Sequence, residues 1–365
     1  MHSTTTGRLA RSGHGQHLTD LILPIESLRR ELEGATRQYE TSHTSAMHIV
    51  LLGAAGTGTA FAAACSLRRH WSRAVNIIAM DTNPLHLVTA SLLSDHFEQV
   101  PGSASPEFSG ALEKIIHRYN VDTYLPLMPP EIELSASLRD RDVLPRGLGL
   151  LAPSGRGGAL CGDKWSLFEA LRAREIPVPM TTLASRPFPS DWYLLKPRSG
   201  FGSRGVARVA ARDLEAATAG IPENWIVQEP CESPEITVDA FCCAASGIRR
   251  SICRERIEVK SGVATKCRLC EDVRLHEYAS TIAALLDFEG SFCFQVMRSR
   301  TEWVVTDVNP RPGAGSAMCN VTGNDFFAAS FARVWGQNVE PFFTPLNEDV
   351  YVTRQYAEYV MGRAT

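Results

Sequence analysis

The sequence lacks an apolar run approaching the roughly 20 residues that a membrane-spanning helix needs. It also lacks a marked excess of charge, because 37 Lys and Arg residues face 40 Asp and Glu residues, for a formal net charge of −3. So small a charge gives no electrostatic footprint for nucleic acid or for an anionic membrane surface. We therefore expect neither nucleic acid nor a membrane among the partners of this chain.

A secretory signal pattern is also lacking, although the chain has ten cysteines. We expect these cysteines to be reduced, buried thiols of a cytoplasmic protein. Cys267 and Cys270 form one C-x-x-C motif, and a structural zinc site would need a second pair at matching spacing. No second pair is visible, so we favour core or strand cysteines over a zinc site.

Composition divides the 365 residues into four parts. Residues 1–46 are rich in Ser, Thr, Gly and His, with a helical pattern at 28–39. We predict an extension there, disordered or helical, with Met47 as an alternative start. Residues 47–150 and 151–345 are the two predicted domains, and 346–365 form a C-terminal segment.

From Met47 onward, short apolar strands alternate with helices. Strands are predicted at 48–52, 76–80 and 122–127, and helices at 60–70 and 111–118. This alternation predicts a doubly wound parallel α/β sheet. After residue 190 strands dominate, with a helix near 278–286, which predicts a separate α+β unit.

A glycine turn follows the first strand. Gly53, Gly56 and Gly58 give G-x-x-G-x-G, whereas dinucleotide-binding turns have G-x-G-x-x-G. Asp81 lies about where a ribose-binding acid would be expected. Such turns also serve to pack a helix on a strand, and we favour that interpretation over a nicotinamide site.

The stretch LLKPRSGFGSRGV, residues 194–206, is typical of a strand, a glycine-rich turn and a returning strand. The turn's backbone N–H groups, with the Ser199 and Ser203 hydroxyls and the Lys196 ammonium, could contact a phosphate. By itself the stretch could equally be a hairpin without chemistry. A P-loop is excluded because no Gly-Lys-Ser/Thr follows, and a kinase because the H-R-D and D-F-G motifs are absent.

A polar cluster ends the last predicted strand, within WVVTDVNPRPGAGS at 303–316. Residues i and i+2 of a strand share a face, so Asp307 and Asn309 should present oxygens suited to Mg²⁺ together. Arg311 follows with a fork that fits carboxylate or phosphate. Gln295 lies in the partner strand of a predicted hairpin turning near Arg300. The alternative is an edge strand with an ordinary turn.

Between these clusters lies IVQEPCESPEITVDAF, residues 226–241. Its backbone after Gln228 could meet an adenine edge, and Glu235 could accept hydrogen bonds from ribose hydroxyls. Surface glutamates are common, so this stretch carries little weight alone.

Taken in order, the motifs resemble those of the ATP-grasp superfamily, in particular its carbamoyl-phosphate-synthetase-like and biotin-carboxylase-like branch. The resemblance covers about residues 47–345. It rests on five motifs in sequence: GDK at 162–164, KPRSGFGSRGV at 196–206, QEPCESPE at 228–235, FQ at 294–295 and DVNPR at 307–311.

The resemblance implies a role for each matching position. The residues implied to bind ATP are Lys164, Lys196, Ser199, Gly200, Gly202, Ser203, Gly205, Glu229, Cys231 and Glu235. The implied ligands of Mg²⁺, or of Mn²⁺ in its place, are Gln295, Asp307 and Asn309. Arg311 and Lys196 are implied to be catalytic. Position 307 is Asp where many relatives carry Glu, and Gln295 is a neutral ligand, so ATP oxygens and water would supply more of the metal shell.

The resemblance also implies a fold and an activity. A Rossmann-like domain at 47–150 would precede an ATP-grasp domain at 151–345, whose lid spans about 184–227. We predict a ligase that converts a small carboxylate into an acylphosphate, which an amine then attacks to give an amide or peptide bond, ADP and phosphate. Activation of bicarbonate or another small acid is an alternative, as is a non-catalytic ATP-binding regulator. A homodimer is expected only because dimers are common in the family.

A basic stretch lies between the adenine-side and metal-side motifs, at residues 254–268. We expect some of Arg254, Lys260, Lys266 and Arg268 to face the substrate or the γ-phosphate. The alternative is a set of solvated charges on a hairpin.

Overall fold

The computed structural model describes residues 47–200, 202, 204–260 and 262–361. The predicted extension at 1–46 lies outside the described residues, as do the last four residues of the predicted C-terminal segment. The boundaries predicted for the two domains therefore stay predictions, and the sheets below are described as the structure has them.

The first part of the fold is a parallel sheet of five strands in the order β3-β2-β1-β4-β5. Its strands are β1 (His48–Leu52), β2 (Val75–Asp81), β3 (His96–Gln99), β4 (Thr123–Leu125) and β5 (Gly149–Leu150). Its helices are α1 (Gly58–Trp71), α2 (Phe108–Tyr119) and α3 (Pro129–Asp140). The predicted doubly wound parallel sheet is confirmed.

Local sequence explains where these elements begin and end. The central strand β1 is a continuous apolar run because helices cover both faces of a parallel sheet. Helix α1 begins after Thr57, whose hydroxyl accepts a hydrogen bond from the Ala60 amide at 3.2 Å. Helix α2 ends at Asn120, which adopts the left-handed conformation with φ of 50°.

The second part contains two antiparallel sheets. One has six strands in the order β14-β13-β10-β11-β12-β15, and the other has four in the order β6-β9-β7-β8. The four-stranded sheet is formed by β6 (Thr181–Leu183), β7 (Trp192–Pro197), β8 (Ala207–Ala210) and β9 (Trp225–Gln228). The six-stranded sheet is formed by β10 (Glu232–Cys242), β11 (Arg249–Lys260), β12 (Val263–Cys270), β13 (Gly290–Ser299), β14 (Glu302–Asn309) and β15 (Val350–Thr353).

Five helices accompany these sheets. They are α4 (Gly155–Gly162), α5 (Lys164–Arg172), α6 (Leu214–Ala217), α7 (Val273–Leu286) and α8 (Phe326–Val334). Helix α7 packs on one face of the six-stranded sheet, where Leu275 and Ile282 join the same core as Phe294. Helix α8 packs on the other face. The predicted α+β organisation is confirmed.

The C-x-x-C cysteines lie on strand β12 and point to opposite faces of the sheet. Cys267 packs in the core beneath α8, whereas Cys270 packs against the core beneath α7. Because the two thiols point apart, they cannot chelate one metal together. Both are free thiols in a strand, as the sequence favoured.

Helix α8 also returns to the parallel sheet. Its Phe327 and Phe331 are fully buried in the core that contains Leu52 and Leu67. Just after the helix, Trp335 stacks on His48 with ring centroids 3.9 Å apart. The first sheet is therefore completed by a helix that lies near the end of the sequence.

Several elements were not predicted from the sequence: the helices α3, α4, α6 and α8, and the strands β3, β5, β6, β11, β12 and β15. Within the described part of the chain, no helix has the length and apolar character needed to cross a membrane.

Candidate functional site

A cleft of about 760 Å³ lies between the four-stranded sheet, the six-stranded sheet and the start of helix α3. Residues from both sheets and from the helix line it, although these elements are far apart in sequence. Of the residues that the sequence predicts for the site, the following line the cleft: Lys164, Lys196, Ser199, Gly200, Gly202, Cys231, Glu235, Gln295, Asp307, Asn309 and Arg311.

Three predicted site residues are not part of this lining. Ser203 lies outside the described residues. Gly205, with φ of +76°, turns the chain back toward β8 and packs against Pro197. The Glu229 carboxylate accepts hydrogen bonds from the Met180 amide at 3.0 Å and the Ser299 hydroxyl at 2.8 Å, so its side chain links the residue before β6 to the last residue of β13.

The GDK motif joins helix α5 to the lysine-bearing strand β7. Asp163 caps α5 by accepting from the Trp165 amide at 3.0 Å, and its carboxylate also forms an ion pair with Arg198. The Lys164 amide donates to the Arg198 carbonyl at 2.9 Å, and Lys164 Nζ donates to the Gly200 carbonyl at 2.8 Å. These contacts hold the glycine turn and Lys164 at one side of the cleft.

The two lysines of the cleft are largely desolvated. Burial lowers the pKa of Lys196 and of Lys164 from their ordinary value, and the nearby Asp307 carboxylate acts in the opposite direction on both. Lys196 Nζ lies 3.5 Å from the Thr306 carbonyl oxygen. Because one carboxylate influences both ammonium groups, Lys164 and Lys196 flank the same small volume of the cleft.

The polar triad of Gln295, Asp307 and Asn309 forms the floor of the cleft. Gln295 and Asp307 are directly opposed in the β13–β14 ladder, so their side chains share a face. Asn309 lies two residues further along that face, and its Nδ2 donates to Asp307 Oδ2 at 2.9 Å. The predicted hairpin turn near Arg300 is present, with Arg300 at φ of +56° between the two strands.

This triad supplies one carboxylate and two amide oxygens. Oxygen ligands suit a hard divalent cation such as Mg²⁺. The described residues contain no group of three or more His, Cys, Asp or Glu side chains that could hold a metal ion. A cation would therefore receive a single protein charge, from Asp307, and would depend on other oxygens for the rest of its shell.

Arg311 lies at the edge of the triad. Its amide donates to the Asn309 carbonyl at 2.8 Å, and its Nη1 donates to the Pro312 carbonyl at 3.0 Å. Its Nε is buried and has no hydrogen-bond partner among the described residues. An unsatisfied buried donor in a cleft wall fits an anionic ligand.

At the other end of the cleft, Cys231 and Glu235 follow strand β9. Glu235 forms an ion pair with Arg256 of β11, whose side chain is buried. Burial, together with the Glu229 carboxylate, raises the pKa of the Cys231 thiol to about 11, so this group is a neutral thiol at physiological pH. Gln228 also lines the cleft, and its buried Oε1 lacks a hydrogen-bond partner within the described chain.

The start of α3 was missed by the sequence reasoning. Met128, Pro129, Pro130, Ile132 and Glu133 form one wall of the cleft. The two prolines are a helix-start signal, since proline fits the first turn of a helix, but nothing in the local sequence places this helix against residues more than 150 positions away.

The basic stretch of β11 and β12 does not line the cleft, which corrects our expectation for it. Arg254 is buried in an ion pair with Asp239, and Arg268 pairs with Glu255 and Asp349. Lys260 and Lys266 both pair with Glu258 on the exposed part of the hairpin. Each cation has an acidic partner that the sequence spacing did not reveal.

The glycine turn after β1 is filled by protein groups. The Asp81 carboxylate accepts from the Gly56 amide at 2.6 Å and from the Asn83 amide at 2.8 Å. A Cβ at Gly53 would overlap the buried Glu131 carboxylate. The turn thus packs helix against strand, as favoured, and Asp81 is already engaged by the backbone.

Comparisons with known proteins agree with this geometry. A family model described as an ATP-grasp domain matches residues 161–315. A search of curated proteins finds no match.

Several solved structures are similar in fold. One is N5-carboxyaminoimidazole synthetase from Staphylococcus aureus complexed with ADP, with a TM-score of 0.65 and 13% identity over 80% of this chain and 78% of that one. Another is the biotin carboxylase domain of Hydrogenobacter thermophilus 2-oxoglutarate carboxylase with MgADP and bicarbonate, with a TM-score of 0.63 and 13% identity over 81% and 71%.

An L-amino acid ligase from Bacillus licheniformis is similar with a TM-score of 0.61 and 13% identity, over 80% of this chain and 75% of that one. At such identities the likeness shows a shared fold. Together with the domain match, it confirms the resemblance predicted from the motifs: residues 161–315 match an ATP-grasp domain, and the chain shares the fold of the ATP-dependent ligases and carboxylases named above.

Proposed function

We propose that this protein is an ADP-forming carboxylate–amine ligase that joins small amino-acid-like substrates through an acylphosphate. The observation that carries the proposal is the meeting, in one cleft, of three cations from separate elements with the Asp307 carboxylate. Lys164 begins α5, Lys196 is the last residue but one of β7, and Arg311 follows β14. Such an arrangement suits the transfer of a highly charged phosphoryl group.

The cleft has the parts needed to hold ATP. Its end near β9 combines the apolar side chains of Leu194, Val206 and Met297 with the unsatisfied Gln228 Oε1, which fits a base with hydrogen-bond donors. Glu235 would accept hydrogen bonds from the ribose hydroxyls, and the glycine turn and the lysines, which line the same cleft, would contact the phosphates. Mg²⁺, or Mn²⁺, would be held by Gln295, Asp307 and Asn309, and when bound it would neutralise phosphate charge.

The residues around the triad account for the first chemical step. Lys164 and Lys196 neutralise charge on the phosphates, while the Arg311 fork orients the acid substrate beside them. A carboxylate oxygen forms a bond to the γ-phosphorus as the bond to the β–γ bridging oxygen breaks, and ADP leaves.

In the second step, the amine nitrogen bonds to the carbonyl carbon, the C–O bond to phosphate breaks, and the ammonium proton passes to solvent. The four-stranded sheet and its glycine turn cover this volume and would keep water from hydrolysing the acylphosphate. Amide formation is supported by the likeness to an L-amino acid ligase, whereas the likeness to a biotin carboxylase domain supports bicarbonate activation.

A substrate screen tests the proposal. ADP release is measured with MgATP against panels of amino acids and other small acids and amines, then against bicarbonate, and products are identified by mass spectrometry. We expect turnover to require an acid together with an amine, with phosphate as the second product. Turnover with bicarbonate alone would overturn the ligase proposal, and AMP in place of ADP would overturn the acylphosphate mechanism.

Asp307→Ala tests the metal site in the same assay. We expect turnover to fall about 10²-fold or more, because the only carboxylate of the triad is removed and metal ions supply several kcal/mol to such steps. Asp213→Ala, on the exposed surface of the four-stranded sheet region, is the matched control and should change nothing. Unchanged activity of Asp307→Ala would contradict the assignment.

A further inference from the structure

A buried ion pair lies under the loop that carries Arg311. Asp239 of β10 and Arg254 of β11 are joined by Arg254 Nε to Asp239 Oδ2 at 2.9 Å and Nη2 to Oδ1 at 3.3 Å. Their side chains are only 1% and 4% exposed. Neither residue lines the cleft, so the function proposed above does not use them.

The pair is connected directly to the loop at residues 310–316. Ser316 Oγ donates to Asp239 Oδ1 at 2.5 Å and accepts from the Gly313 amide at 2.8 Å. The loop passes so close to the pair that a Cβ at Gly315 would overlap the Arg254 guanidinium. Asp239 therefore fixes Ser316, Ser316 fixes Gly313, and Gly313 lies two residues from Arg311.

The pair also shares a sheet face with the polar triad. Asp239 is opposite Cys293 of β13, and Cys293 is opposite Asn309 of β14. Arg254 is opposite Thr237, which is in turn opposite Gln295. Opposed residues share a face, so the ion pair and the triad lie in the same two cross-strand rows. Asp239 is two strand spacings, about 10 Å, from Asn309, and Arg254 is equally far from Gln295.

Stability alone is a poor reason for such a pair. Removing two charges from water is expensive, and replacement of a buried ion pair by apolar groups is often neutral or stabilising. What a bidentate, fully hydrogen-bonded pair does provide is a fixed geometry. Here the fixed geometry is that of the loop between Asn309 and Ser316.

We propose that Asp239 and Arg254 are positioning residues that hold the Arg311 loop in place for phosphoryl transfer. This inference rests on the proposed function. The pair acts through Ser316 and touches neither nucleotide nor substrate. Its loss should therefore reduce the rate of the chemical step and leave the binding of the adenine nucleotide unchanged.

Arg254→Lys tests the inference because it keeps the charge but removes the planar fork. We expect the dissociation constant for MgADP, measured by calorimetry, to change less than about threefold. We expect kcat to fall about 10²-fold, since a misplacement of 1 Å can cost that much, with KM for ATP nearly constant. Ser316→Ala should also lower kcat, by a smaller factor, and should likewise leave the dissociation constant for MgADP and the KM for ATP nearly constant.

A second readout does not depend on the substrates. ADP with aluminium fluoride mimics the transferring phosphoryl group, and wild-type protein should bind this combination more tightly than ADP. Arg254→Lys should lose that gain while keeping its affinity for ADP. Arg268→Lys is the matched control, since Arg268 is also a paired arginine of the same sheet but does not contact the loop.

The outcomes separate the two proposals. If the wild-type protein binds no ADP, the nucleotide site itself is wrong. If it binds ADP and Arg254→Lys, folded by thermal melting, keeps wild-type kcat and aluminium fluoride binding, the positioning role is wrong. Equal losses in ADP affinity and in kcat would show a general structural role for the ion pair, and this result would also overturn the positioning role.

If the Arg254→Lys variant does not fold, the double variant Asp239→Leu/Arg254→Met tests the positioning role in its place. It removes both charges without leaving either one unpaired in the interior. We expect this variant to keep ADP affinity and to lose kcat, whereas wild-type kcat would refute the positioning role.

Discussion

Because Lys196 is desolvated, we expect nucleotide binding to weaken at alkaline pH. Burial lowers its pKa below the ordinary value of 10.5, so its positive charge is lost at a lower pH than that of an exposed lysine. ADP affinity should therefore fall as the pH rises, beginning at a lower pH than an exposed lysine would give, by about tenfold for the loss of one charge-assisted contact. Lys196→Arg keeps its charge and should flatten the profile in calorimetric titrations. Identical profiles for both proteins would contradict this role.

Because Gln295 is neutral, the triad contributes little protein charge to metal binding, and an added carboxylate at this position should strengthen that binding. Gln295→Glu would give the triad a second carboxylate opposite Asp307, and charge count tunes the affinity of oxygen-ligand sites. We expect the affinity for Mn²⁺ in the presence of ADP to rise about tenfold, as measured by electron paramagnetic resonance of free Mn²⁺. Gln99→Glu, an exposed change on β3, is the control. An unchanged affinity in Gln295→Glu would place the metal elsewhere.

At the residue scale, the sequence predicts the site best where the alternation of side chains along a strand determines which residues share a face. Asp307, Asn309 and Gln295 converge because two neighbouring strands impose a common face, and this can be read from spacing alone. The sequence does not reveal a contact between a side chain and a partner that is remote in the chain. Glu229 is bound by Ser299, 70 positions away, and Arg254 by Asp239 across a strand pair. No local pattern specifies such a partner.

At the scale of elements, the glycine turn between β7 and β8 depends on backbone that only glycine adopts easily. Gly205 has φ of +76°, and a Cβ there would come within 2.9 Å of Pro197 Cγ. Gly220 has a similar φ of +73° but open space around it. Gly220→Ala should therefore cost only the strain of the left-handed conformation, about 1–2 kcal/mol of stability.

Gly205→Ala should cost the same strain and also displace the turn from Pro197, next to Lys196. We expect its ADP affinity to fall severalfold, while Gly220→Ala keeps wild-type affinity, both measured alongside thermal melting. Equal ADP affinities in the two variants would show that the turn does not position the nucleotide site.

Elements were predicted where their periodicity is strong and local. The bounds of β1, residues 48–52, agree with the structure, because a short apolar run followed by a glycine turn is a clear signal. Helix α8 was missed because FFAASFARV is buried on nearly all sides, between the parallel sheet and the six-stranded sheet. A helix that is buried on all sides has no polar face, so its sequence does not show the alternation of apolar and polar residues that indicates a helix.

At the scale of the whole molecule, α8 makes the two parts of the fold depend on each other. Phe331 is fully buried in the core of the parallel sheet although it follows strand β14 of the six-stranded sheet in sequence. Phe331→Ala should reduce the free energy of unfolding by about 3–5 kcal/mol, measured by chemical denaturation. Tyr356→Ala, an exposed aromatic truncation, should change it little. A small effect of Phe331→Ala would show that the parallel sheet is stable without α8.

The return of α8 sets an order of events during synthesis. Leu151 and Phe331 belong to the same core, and 180 residues separate them. A ribosome adding about 5–20 residues per second needs roughly 10–40 seconds to cover that distance. During this interval the nascent parallel sheet exposes the apolar groove that α8 will fill, and a chaperone that binds such surfaces would find it open. The part of the protein that leaves the ribosome early is thus among the last to be completed.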